Sequence, residues 1–149
     1  MTLWILDTDI TSLLLTRHPI VSQRVIAAGQ DVALSIITVQ EIFNGWVSRI
    51  NATDKPDELI HLYGRLERMI TLCKKVPILG FDQTAVARLD RIISLNPNLG
   101  KKRVQKDMRI ASIVLANNAI LVTRNTRDFQ PVPDLSIENW SIWPLILHP

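Results

Sequence analysis

Apolar residues along this chain fall into short continuous runs alternating with longer stretches of helical spacing. Leu3-Trp4-Ile5-Leu6 is an apolar run closed by Asp7-Thr8-Asp9, the pattern of a buried strand entering a turn. A short helix is predicted through Leu13-Leu14-Leu15, and a second over residues 20–28, stopped by Gly29. Val32-Ala33-Leu34-Ser35-Ile36-Ile37 reads as a second buried strand. Thr38-Val39-Gln40-Glu41 has capping-box spacing, which predicts a helix starting there and running to about residue 50. Residues 51–57 are polar, include Pro56 and read as a loop. Beyond them Leu59, Leu62, Tyr63, Leu66, Met69, Ile70 and Cys73 trace one face of a long amphipathic helix. Val76-Pro77-Ile78-Leu79 predicts a short strand, and Asp82 an N-cap for the helix carrying Ala85, Val86, Leu89, Ile92 and Ile93. Asn96-Pro97-Asn98-Leu99-Gly100 breaks that helix. A further helix is predicted over 104–117, then strands over 119–123 and 135–138.

Short apolar strands alternating with helices imply an α/β fold, a central parallel sheet flanked by helices on both faces. Ligands of such sheets bind beyond the carboxyl ends of the strands. Several acids fall at those ends. Asp7 closes the first strand, Glu41 follows the second, Asp107 opens the helix leading into the 119–123 strand, and Asn125 and Asp128 follow that strand. Each has a local use as well: Asp7 or Asp9 as a helix cap, Glu41 in a capping box with Thr38, Asp107 at a helix dipole, Asp128 as a loop acid. Converging carboxylates repel unless cations neutralise them, and hard divalent ions such as Mg²⁺ or Mn²⁺ suit oxygen-only ligands.

Bulk properties narrow the classes. The 149 residues are 47% hydrophobic and 21% charged, which fits one globular domain spanning 1–149, with its core over about 1–140. Net charge is +3 and the pI about 9.4, a mild basic excess compatible with a nucleic-acid partner. Lys101, Lys102, Arg103, Lys106 and Arg109 concentrate that charge, with Arg124 and Arg127 downstream. The lone Cys73, on an apolar stripe, excludes an internal disulfide and a cysteine zinc site. No signal peptide or membrane-spanning run is apparent, so a cytoplasmic protein is expected.

The acid-bearing segments resemble the PIN-domain family, and especially the VapC-type toxins of type II toxin–antitoxin systems. The matching segments are Leu6-Asp7-Thr8-Asp9, Val39-Gln40-Glu41-Ile42, Lys106-Asp107-Met108-Arg109-Ile110-Ala111-Ser112, and Leu121-Val122-Thr123-Arg124-Asn125-Thr126-Arg127-Asp128-Phe129, followed by residues 135–140. They keep the family's order and spacing. The resemblance implies a PIN-like fold and an endoribonuclease dependent on Mg²⁺ or Mn²⁺, leaving a 5′-phosphate and a 3′-hydroxyl. It makes Asp7 and Asp107 the primary metal ligands, with Glu41 a third acid acting directly or through water. The fourth acidic position of the family aligns with Asn125, an amide here, with Asp128 as the alternative; this departure predicts one tightly held metal rather than two. The resemblance also implies a cognate antitoxin and a homodimer.

Lys102, Arg103, Arg109 and Arg124 are candidate contacts to RNA phosphates, which position a strand without reading its sequence. His18, His61 and His148 are scattered, so histidine-based cleavage is not expected. Two other classes fit parts of the chain. Asp7-Thr8-Asp9-Ile10-Thr11 satisfies the Asp-x-Asp-x-Thr pattern of haloacid-dehalogenase-type phosphatases, with Asp7 as nucleophile. A catalytically degenerate PIN fold kept for partner binding is the non-enzymatic reading, and Asn125 favours it. The scattered glycines leave neither a P-loop nor a dinucleotide fingerprint. The tail over 141–149 is apolar enough to pack on the domain or on another chain.

Overall fold

The computed structural model describes residues 1–143. Five strands form one parallel sheet: β1 (Trp4–Leu6), β2 (Val32–Ser35), β3 (Ile78–Leu79), β4 (Ile120–Val122) and β5 (Ile137–Glu138), in the spatial order β3-β2-β1-β4-β5. β1 sits in the middle. Leu6 pairs in register with Leu34 of β2 on one side and with Val122 of β4 on the other. The carboxyl ends of these three strands are therefore level, and whatever follows them meets at one edge.

Period-two alternation divides the sheet's side chains between two cores. Ile5, Ala33 and Leu121 pack with α5 (Gln83–Leu95), α6 (Gln105–Ala116) and Phe129 of the short α7 (Thr126–Phe129). Leu6, Leu34 and Val122 face the opposite way. They pack against α1 (Thr8–Leu15), α2 (Pro19–Ala28), α3 (Ile36–Ala52) and α4 (Pro56–Lys75) through Ile10, Val21, Ile42 and Met69. Both faces are covered, as continuous apolar strands require.

Two differences from the pattern-based expectations bear on function. The second strand stops at Ser35, two residues early, because Ser35 caps α3: its hydroxyl accepts from the Thr38 amide at 3.1 Å. Ile36 and Ile37 thus join the helix, and the capping-box expectation for Glu41 fails. Glu41 lies a turn beyond the cap, its side chain released for other work. Residues 126–129, read as loop, form α7, capped by Asn125. Pro56, read as loop, takes the first position of α4, where its missing N–H has no partner to lose.

Among the described residues no helix is long and apolar enough to cross a membrane. Cys73 packs at the edge of the second core, and burial pushes its thiol up. Ile142 and Trp143 of the apolar tail are exposed, while residues 144–149 lie outside the described residues.

Candidate active site

Asp7 follows β1 and is 5% exposed. As N-cap of α1 it accepts at Oδ1 from the Ile10 amide, 2.8 Å away. Oδ2 accepts from the Thr123 hydroxyl, which follows β4, at 2.5 Å. The helix start and the neighbouring strand thereby fix the carboxylate's rotamer. Cap and site acid are one residue here, since each role uses a different oxygen. Burial raises its pKa to about 6; the Thr123 and Ile10 hydrogen bonds oppose the rise, and the charges of Asp9 and Asp107 add to it.

Asp107 sits in the first turn of α6. Its pKa is also raised to about 6, first by burial, then by the charges of Glu41 and Asp128, with Arg103 opposing. Glu41 projects from α3 and accepts from the Thr8 hydroxyl at Oε1, 2.8 Å; that hydroxyl also lies 3.1 Å from the hydroxyl of Thr38. Asp7, Asp107, Glu41 and Asp128 thus share one electrostatic neighbourhood at the carboxyl edge of the sheet. They come from four separate parts of the chain.

Asn125 has a different place. Its side chain caps α7, accepting from the Asp128 amide at 3.4 Å and donating to Asp128 Oδ2 at 3.0 Å. It orients Asp128, which also accepts from Arg103 at 3.1 Å; these two hydrogen bonds hold the Asp128 carboxyl below its ordinary range. Of the basic candidates, Lys102 and Arg103 line a cavity of about 410 Å³ with Glu41, Gln105, Lys106 and Asp107. Arg124 is engaged in a two-pronged pair with Asp9, at 2.6 and 2.9 Å. Arg109 does not line the cavity, and its guanidinium stands beside the side-chain amide of Gln105 along α6.

Thr8 and Thr123 carry no charge or spacing that points to these bonds; Thr123 is marked in the sequence only by its place directly after an apolar strand. Thr11, which completes the phosphatase-like spacing, turns its hydroxyl to the backbone carbonyl of Asp7 at 2.7 Å.

Does the donor set suit a divalent cation? Among the described residues no three His, Cys, Asp or Glu side chains stand close enough to close on one ion. Two carboxylates are nonetheless what Mg²⁺ ordinarily takes from a protein, with water and substrate oxygens completing the shell. Asp7 is buried and Asp107 half-buried, the second raising the pKa of the first, and a cation between them would relieve both desolvation and repulsion. They fit.

No family model matches the chain. Relatives do. Ribonuclease VapC2 of Rickettsia felis is 28% identical over 142 residues, covering 93% of this chain and 98% of the relative. The crystal structure of VapBC2 from Rickettsia felis bound to a DNA fragment from their promoter superposes with a TM-score of 0.75 at 22% identity, over 93% of this chain and 99% of that one. VapBC-5 of Mycobacterium tuberculosis, a member of the VapBC family of toxin–antitoxin systems, gives a TM-score of 0.62 at 20% identity, over 95% and 100%. In the strand order of its sheet the chain has a PIN-like fold, and along nearly its whole sequence it is similar to ribonucleases of the VapC type.

Proposed function

We propose that the chain is the toxin of a type II toxin–antitoxin pair and acts as a Mg²⁺- or Mn²⁺-dependent endoribonuclease, working in the cytoplasm under the control of a cognate antitoxin. The observation that carries this reading is the pair Asp7, buried directly after β1, and Asp107, half-buried in the first turn of α6, both raised in pKa and the second adding to the rise of the first. The likeness to a ribonuclease over 93% of this chain, and to structures solved as VapBC, supports the activity and the partner.

Asp7 and Asp107 would hold the ion. When bound, it supplies Lewis acidity to a water and to the phosphodiester oxygens. The Ile10 amide and the Thr123 hydroxyl keep Asp7 from rotating away. Glu41, steadied at Oε1 by Thr8, keeps Oε2 for the attacking water, orienting it and taking its proton. Lys102 and Arg103 on the cavity wall offset the charge of the RNA backbone as it nears the acids. Asp128 draws Arg103 toward the site, and Asn125 holds Asp128 in place. In-line attack forms the new P–O bond as the P–O3′ bond breaks, leaving a 5′-phosphate and, once the released oxygen takes a proton from solvent, a 3′-hydroxyl.

Purified protein with Mn²⁺ is expected to cut single-stranded RNA, and Asp107→Asn to lose at least 100-fold in rate with an unchanged circular dichroism spectrum. A folded Asp107→Asn protein with full activity would remove this assignment.

A further inference from the structure

Glu41 lines two clefts, one on each side. The first is the basic cavity of Lys102, Arg103 and Lys106. The second, about 220 Å³, is formed by Thr8, Ser12, Ile42, Gly45, Trp46 and Arg49. It continues past Ser12 and Trp46 to Arg65. A surface track therefore runs from one group of cations, over the acids, to a second group of cations.

The second cleft has an unusual floor. Gly45 lies inside the 17-residue α3, where glycine is the costliest residue short of proline. Nothing lies within 4 Å of where its Cβ would be. Packing does not require glycine at that position; its effect is to keep the cleft open. One turn on, the guanidinium of Arg49 lies 4.9 Å from the centre of the Trp46 ring, and that of Arg65 5.8 Å. Nε and Nη1 of Arg65 are buried with no hydrogen-bond partner among the described residues, so a positive charge beside the indole lacks an acceptor.

An indole layered with guanidinium, open floor beside it and uncompensated positive charge together suit a nucleotide. Bases stack on aromatic rings and on guanidinium planes, and their phosphates pair with arginine. Resting on the nuclease reading above, we infer that the cleft over Gly45 is an RNA subsite next to the scissile phosphate: one base packs against the Trp46–Arg49 stack and its phosphate takes the Arg49 guanidinium. The charge order, cations on both sides of a carboxylate centre, matches a polyanion lying across the acids better than it matches an acidic or a basic peptide.

Binding is read first in the uncleaving Asp107→Asn background, with a single-stranded oligouridylate as probe. Tryptophan fluorescence is expected to quench on RNA addition. Trp46→Phe should abolish most of the quench yet retain affinity measured by anisotropy of labelled RNA, because phenylalanine still stacks. Trp46→Leu should weaken affinity about 5- to 100-fold, the span of one lost stacking contact. With Asp107 restored, Arg49→Ala and Gly45→Leu should raise KM with kcat little changed, circular dichroism confirming that each variant is folded. Unchanged quench in Trp46→Phe, or unchanged affinity and KM in Trp46→Leu and Gly45→Leu, overturns the subsite and leaves the cleft to a protein partner. Failure of the nuclease reading looks different: the wild-type protein cuts no RNA, and the quench in the Asp107→Asn protein still decides the cleft.

Discussion

Thr123 shows how much a single hydroxyl can govern. It donates to Asp7 across the sheet, and it is also the acceptor for the Asn125 amide at 2.9 Å, so one side chain ties the first acid to the turn that presents Asp128. Thr123→Val keeps the shape and removes the donor. Hydrogen bonds to charged groups are worth about 1.5–3 kcal/mol, so a stability loss of that order is expected at neutral pH by denaturant titration. The lost bond is one that lowers the pKa of Asp7, so the acid limb of the activity profile should move to higher pH, with a roughly ten-fold drop in kcat. An unshifted profile would mean that Asp7 does not need this donor. The acids were legible from the sequence because charge at a strand end is conspicuous. Thr8 and Thr123 were not, because a hydroxyl reveals its use only when its partner, 33 or 116 residues away, is brought alongside.

The same contrast holds for whole elements. Alternation of apolar runs and helical spacing foretold the helices α1 to α6 and all five strands. It misplaced the junction of β2 and α3, since Ile36 and Ile37 are as apolar and β-branched as the strand before them. The Ser35 hydroxyl settles the boundary and leaves the Glu41 side chain out of the cap. Ser35→Ala should destabilise the protein by about 1 kcal/mol, the ordinary worth of an N-cap. Glu41→Gln, whose side chain caps nothing, should leave the melting temperature nearly unchanged while reducing cleavage. Equal destabilisation by the two would return Glu41 to the cap. The four-residue α7 escaped notice because so short a turn has no periodicity to read; only Asn125, as a cap, and Phe129, as its one buried anchor, mark it.

At the scale of the whole molecule, the site puts an acid load on the fold. Asp7 and Asp107 both titrate near 6 when folded and near 3.8 when unfolded. Between those values the folded state binds protons that the unfolded state has released, so stability falls as pH rises from about 4 to about 6 and stays lowered above. The Asp7 displacement alone corresponds to about 3 kcal/mol. Metal-free protein should therefore have a higher denaturation midpoint at pH 4.5 than at pH 7.5, and excess Mn²⁺ should restore most of the difference at pH 7.5 by binding the folded state. A midpoint independent of both pH and Mn²⁺ would show that the acids are not coupled through a cation. The parallel architecture was legible from the alternation, but the strand order was not, because nothing local says that β1 lies between β2 and β4. That position has a consequence in time as well as in space. Leu6 pairs with Val122, and Asp7 meets its donor only at Thr123. A growing chain that has passed its first hundred residues already carries Asp7 and Glu41, yet has neither β4 nor Asp107. The carboxylate cluster is therefore assembled only once β4 and the residues after it have emerged.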